Sequence, residues 1–220
     1  MRLLFFLSIT LFAQGEKKIR EQYTKYEYRI PARDGKRLFT SVYIPKDQSQ
    51  KWPILMTRTP YSVSPYGVDL YKEELGPNKE LAKLKYIFVY QDVRGRNMSE
   101  GEFINMTPHR AAKRSPQDVD ESSDTYDTID WLVKNLPNNN GKVCTYGISY
   151  PGFYASYSLL SNHSALKAVD DNAVGLGAVF ARRFCEDVGL NADEKDALSK
   201  TGYGTRDDRH FEARHHRHRE

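Results

Sequence analysis

Only two cysteines occur in 220 residues, Cys144 and Cys185. That excludes a disulfide-rich scaffold and a four-cysteine zinc site. Cys144 falls in an apolar strand pattern and Cys185 in a stretch with no readable pattern, so the two thiols are expected to stay unpaired. Charge of one sign is scarce too. Thirty-three Lys and Arg against 29 Asp and Glu leave +4. Nucleic-acid binding usually leaves a clustered basic face, and so small an excess argues against it. No internal repeat is visible, and no apolar run reaches the roughly 20 residues of a membrane span. What the chain does have is aromatics: 15 Tyr and 10 Phe, residue types that suit half-buried strands. Hydrophobic residues make up 39%; with glycine the share reaches roughly 45%, enough for a core. The length fits one domain, or two small ones.

Met1-Arg2 gives a positive start, Leu3 to Phe12 is an apolar run, and Ala13-Gln14-Gly15 offers small residues for cleavage. This is the layout of a secretory signal peptide over residues 1–13. It predicts a secreted or periplasmic protein with no stable membrane association once the signal is removed.

Beyond it the elements alternate. Tyr26–Ile30 and Leu38–Ile44 read as strands joined at Arg33-Asp34-Gly35, where Asp-Gly marks a tight turn. Pro53–Thr57 and Tyr86–Tyr90 are short continuous apolar runs, as strands buried on both faces require. Lys79–Leu84 reads as helix, and the Gly- and charge-rich stretch Asp92–Phe103 as loop. A longer helix is predicted from Ser115 as N-cap with Pro116 in its first turn. Val119, Tyr126, Ile129 and Val133 would form its inner face and its carboxylates a solvated one. Pro137 and the Asn138–Gly141 run stop it. Val143–Ile148 then reads as strand, Phe153–Leu160 as helix and Leu166–Val169 as the start of another strand. This order predicts an α/β fold, a mostly parallel sheet covered by helices.

Residues 142–152, KVCTYGISYPG, place a serine between a strand and a helix. A serine hydroxyl is a weak nucleophile and must project from a tight turn toward a base. Gly147 leaves room where the backbone folds back, and Gly152 lets the helix approach the sheet. The free N–H groups of the helix N-terminus then face developing negative charge. The G-x-S-x-G pattern is close, with the second glycine one place late and Pro151 in the usual small position.

Ser149 to Gly152 resembles the elbow of the α/β-hydrolase family that holds X-prolyl dipeptidyl peptidases, cocaine esterase and α-amino acid ester hydrolases. Further segments are similar to that family in order and spacing: RDGKRLFTSVYIP from Arg33, PILMTRTPYS from Pro53, QDVRGRNMSEGEF from Gln91, DTYDTIDW from Asp124 and ALKAV from Ala165. The resemblance implies that residues 14–169 are the N-terminal part of a hydrolase catalytic domain. It makes Ser149 the acylated nucleophile, the backbone N–H of Tyr150 one oxyanion donor and the Tyr61 phenol O–H the other. Asp92, Arg94 and Arg96 would be a structural cluster that fixes their loop. The implied reaction is cleavage of a small ester or peptide substrate through an acyl-enzyme, with no cofactor and no metal.

In that family the triad histidine and acid follow the sixth strand, and a β-sandwich domain comes after. Neither is identifiable here. His109 and His163 match no triad position, and residues 170–220 read as a divergent, disordered tail ending in a His- and Arg-rich tract. The expectation is therefore a partial α/β-hydrolase fold lacking its C-terminal strands and sandwich domain, with weak activity or none. Two alternatives stay open: a non-catalytic remnant or binding fragment that keeps the elbow, and a tail that binds metal or polyanion.

Overall fold

The computed structural model describes residues 15–78, 81–82 and 84–171. The expected signal segment 1–13, residues 172–220 and Cys185 lie outside the described residues. So do Lys79, Glu80 and Lys83 of the expected 79–84 helix, of which Leu81 and Ala82 are helical.

Six strands form one sheet: β1 Tyr23–Pro31, β2 Arg37–Pro45, β3 Trp52–Thr59, β4 Ile87–Asp92, β5 Asn139–Gly147 and β6 Leu166–Asp171. Their order is β1-β2-β4-β3-β5-β6. β1 with β2 and β2 with β4 are antiparallel, while β4, β3, β5 and β6 run parallel. The Asp34-Gly35 signal delivers the β1–β2 hairpin, closed by Gly35 N–H on Ala32 O at 2.8 Å.

The apolar runs of β3 and β4 are buried on both faces, and their alternation separates two cores. Ile54 and Met56 on β3, with Ile87 and Val89 on β4, face one side and pack with Ile129, Leu132 and Leu136. Leu55, Phe88 and Tyr90 face the other, where Tyr23, Phe39, Tyr43, Tyr86 and Leu75 make an aromatic-rich layer. Tyr66, Tyr71 and Tyr146 pack against this second face as well.

Two helices cover the first face: α1 Glu121–Asn135 and α2 Tyr150–Ser158, the latter continued by a 3₁₀ turn, Leu159–Ser161. The start of α1 corrects the sequence reading. Its N-cap is Asp120, whose carboxylate accepts from Ser123 N–H at 2.9 Å while Ser123 Oγ accepts from Asp120 N–H at 2.9 Å. Ser115 and Pro116 belong to a turn before it, folded around Asp118, which accepts from the N–H groups of Arg114 and Ser115. Reciprocal capping satisfies two orphan donors at once and fixes the start.

The inner face of α1 is corrected at Val119, which precedes the helix, and at Tyr126, while Ile129 is buried as expected and Val133 packs partly buried against the core. Thr125, Thr128, Ile129 and Leu132 point inward, while Tyr126 is exposed. Nor do the carboxylates form a solvated face, because Asp120, Glu121 and Asp124 are buried. Glu121 and Asp124 face two arginines, Arg58 from the sheet and Arg94 from the loop after β4, while Asp120 meets Lys113 at 3.0 Å.

Candidate active site

The elbow lies where β5 ends and α2 begins. Ser149 is the N-cap of α2, at φ 61° and ψ −123°. A non-glycine residue held there costs on the order of 1–3 kcal/mol and persists only where its surroundings impose it. Gly147 imposes it from below. A Cβ at that position would sit 2.1 Å from Pro151 O and 2.6 Å from Gly152 N, so the chain can double back only over glycine. Pro151 lies in the first turn, where its missing N–H costs nothing. Gly152 is buried. The first intrahelical bond runs from Phe153 N–H to Ser149 O at 3.2 Å. The N–H groups ahead of it, Tyr150 included, have no acceptor within the helix. Ser149 itself is exposed.

Strands β3, β4 and β5 are parallel, so the loops after all three emerge at one edge of the sheet. The loop after β3 carries Tyr61, 64% exposed. Its ring stands edge-on to Tyr150, centroids 6.1 Å apart. Tyr61 N–H donates to Thr59 Oγ1 at 3.1 Å. The loop after β4 supplies the supports. Asp92 is buried, and its carboxylate accepts from Val63 N–H at 3.1 Å, the Tyr66 hydroxyl at 2.9 Å, Asn97 Nδ2 at 3.3 Å and Met98 N–H at 3.2 Å. Burial raises the Asp92 pKa above the ordinary carboxylate value, against the pull of those donors. Arg94 bridges Asp34 and Asp124 at 2.7 and 2.6 Å. Thus Asp92, Arg94 and Arg96 are all engaged in holding backbone and turns.

Beneath α2 lies a group the sequence reading missed. Arg58, buried on β3, donates to Gln91 Oε1 at 2.8 Å, Glu121 O at 3.0 Å and Thr125 Oγ1 at 2.8 Å. Its guanidinium lies 5.8 Å from the centre of the Tyr154 ring. It also meets the Glu121 carboxylate at 3.2 Å and Asp124 at 3.8 Å. Burial pushes the Glu121 carboxyl up to about 7, with Asp124 adding to the shift and Arg58 opposing it. Tyr154 stacks on Tyr150, centroids 5.3 Å apart. The buried charges are thus in contact with the helix that starts at Ser149. An arginine at the end of an otherwise apolar strand was the available signal.

The two described histidines are committed elsewhere. His109 Nδ1 lies 3.3 Å from Asp120 Oδ2 and from Ser122 Oγ. His163 Nδ1 accepts from Ala165 N–H at 3.1 Å, and its ring packs against Tyr126. Among the described residues no His, Cys, Asp and Glu cluster suits a metal ion, and no helix is long and apolar enough to cross a membrane.

A parallel sheet whose strand ends in a tightly folded serine at a helix N-terminus has the architecture of the α/β hydrolases, here in part. The comparisons with known proteins narrow the class. The family model described as X-Pro dipeptidyl-peptidase (S15 family) matches residues 34–177, and the chain belongs to that family. It is 32% identical over 140 residues to cocaine esterase of Rhodococcus sp. (strain MB1 Bresler), covering 64% of this chain and 22% of that protein. Among solved structures it is similar to an aminopeptidase from a marine sediment archaeon, Thaumarchaeota archaeon, at 41% identity and a TM-score of 0.60. An α-amino acid ester hydrolase matches at 39% identity and the same TM-score. Both matches cover 68% of this chain and 25% of the other. The chain therefore spans about a quarter of the length of these relatives.

Proposed function

We propose that this chain carries the nucleophile half of a serine hydrolase site that cleaves ester or amide bonds through an acyl-enzyme on Ser149. Ser149 Oγ bonds to the acyl carbon, and the carbonyl π electrons move onto oxygen. Tyr150 N–H and the Tyr61 hydroxyl stabilise that oxyanion. The carbonyl re-forms as the C–O or C–N bond breaks, and the leaving alcohol or amine takes the proton that a base removed from Ser149. Water then attacks the acyl-enzyme in the same way to release the acid and free Ser149. The observation that carries this reading is the backbone of Ser149 itself. A left-handed serine forced by the Gly147–Pro151 contact at a helix N-terminus is poorly explained by packing alone.

The names of the relatives span ester and peptide chemistry, so the substrate class stays at small esters and peptides. Neither a cofactor nor nucleic acid enters this scheme. The 1–13 segment supports export, to be checked by sequencing the N-terminus of the mature protein. A fluorophosphonate probe tests the nucleophile: labelling of the folded chain should vanish in Ser149→Ala, whereas a folded chain that never labels favours a non-catalytic role.

With His109 and His163 engaged elsewhere, the described residues hold the nucleophile and oxyanion groups without a base beside them. Repeated turnover of p-nitrophenyl acetate or of an Xaa-Pro anilide should therefore be close to that of Ser149→Ala, while the probe, which needs a single attack and no deacylation, still labels Ser149 slowly. Activity above that level that is lost on mutating a histidine beyond residue 171 would locate the base there.

A further inference from the structure

We infer that the loop after β4, residues 93–107, is the positioning element of the oxyanion pair, with Arg96 and Asn105 as its two contact residues. The inference rests on the roles just proposed for Tyr61 and Tyr150. It concerns what holds those two groups, which come from different strands and are not joined through sequence.

The loop grips each of them once. On the Tyr61 side, Arg96 Nε donates to Pro60 O at 3.0 Å, and Asn97 Nδ2 reaches the same oxygen at 3.4 Å. Pro60 O belongs to the peptide that leads into Tyr61. With Tyr61 N–H on Thr59 Oγ1 and Val63 N–H on Asp92, the backbone is fixed on both sides of a side chain that is itself largely exposed. On the Tyr150 side, the phenol donates to Asn105 Oδ1 and accepts from Met106 N–H at 3.2 Å. The two grips lie nine residues apart in sequence, and the loop is cross-linked between them. A Cβ on Gly95, at φ 68°, would fall 2.1 Å from Phe103 N, so the strand of loop carrying Arg96 lies directly against Phe103. The Arg96 guanidinium covers the Phe103 ring at 5.0 Å. A loop closed on itself in this way transmits position from Pro60 to Tyr150 without a helix or strand of its own.

The test uses the full chain as wild type, Arg96→Ala, Arg96→Lys and Asn105→Ala. Hydrogen exchange is read over 60–64 and 104–107, with the fluorophosphonate labelling rate at Ser149 and the melting temperature alongside. In Arg96→Ala, exchange over 60–64 should rise by about tenfold or more while the rest of the chain keeps its protection. Labelling should slow by about 10–100-fold, the effect of a misplacement near 1 Å. Arg96→Lys, which keeps a donor, should recover part of both. Asn105→Ala, an exposed position that leaves the Pro60 contacts intact, should loosen 104–107 and slow labelling with 60–64 unchanged. It decides the matter if Arg96→Ala does not fold.

Unchanged local exchange in these variants overturns the inference. So does a uniform rise in exchange with a lowered melting temperature that Arg96→Lys does not relieve. If wild type itself is not labelled, the serine-hydrolase reading fails, and the exchange data alone judge the positioning.

Discussion

Gly147 is the residue on which the elbow depends most directly. Placing a methyl 2.1 Å from Pro151 O leaves no conformation in which Ser149 keeps its backbone angles. Gly147→Ala should lower the melting temperature by about 3–10 °C, the range expected of overpacking in a domain this size. Covalent labelling of Ser149 should disappear with it; retained labelling at the wild-type rate argues that the elbow is not strained as described. Glu121 offers a different kind of test. Its carboxyl titrates near 7 in the fold against an ordinary value of 4.5. The folded state therefore holds a proton that the unfolded chain has lost. The contribution of the neutral form is complete below about pH 4.5 and is lost as pH rises through about 7. Glutamine mimics the protonated acid. The melting temperature of Glu121→Gln minus that of wild type should grow more positive between about pH 5 and about pH 8. A difference that stays flat over that range refutes the assignment.

Among the elements, α1 has the most specific start. The Asp120 carboxylate is pushed up by burial, yet Arg110 N–H, Ser123 N–H, the Ser122 hydroxyl and Lys113 together hold it below the ordinary range. Its contribution is present above about pH 4 and is lost as pH falls. Asp120→Ala should cost about 1–2 kcal/mol at neutral pH, as loss of a helix cap does. In urea titrations the gap from wild type should shrink toward about pH 3; an equal gap at both pH values counts against the cap's ionic character. The strands were legible because β3 and β4 are continuous apolar runs, and the elbow because Gly147, Ser149 and Gly152 punctuate a strand-to-helix junction. The start of α1 was misread because Ser115-Pro116 carries the same local signal as a true cap. Only the reciprocal Asp120–Ser123 pair distinguishes the two. The inner face was legible at Ile129 and Val133 but misread at Tyr126, because the first turns set Thr125 and Thr128 over Arg58 and Gln91 rather than apolar core, and that surrounding is set by distant strands.

At the scale of the whole molecule, ion pairs join the β1–β2 hairpin to α1. Asp34 in the hairpin turn and Asp124 on α1 both bind Arg94, and Arg33 binds Asp127 at 2.8 Å. No periodicity predicts such a seam, since its members lie up to 94 residues apart in sequence. Arg94→Met leaves Asp34 without its cation and Asp124 with only the longer contact to Arg58 at 3.8 Å. It should cost about 3 kcal/mol in urea unfolding, the lower end for a broken buried pair. A loss under about 0.5 kcal/mol, the size of an ordinary surface substitution, would show that the seam is held by packing alone.

The same seam has an optical consequence. The chain has two tryptophans. Trp131 lies on α1 against Tyr28 of β1, centroids 4.9 Å apart, so its indole sees the hairpin. Trp52 begins β3, its indole N–H on Asp47 O at 2.9 Å, and sees the sheet instead. Each is a separate fluorophore for a separate boundary. In the background of Trp52→Phe, emission reports the hairpin leaving the helix; in that of Trp131→Phe, it reports the sheet coming apart. If weakening the seam frees the hairpin first, the two spectra will redden at different urea concentrations, and the chain will report the order of its own unfolding without any added dye.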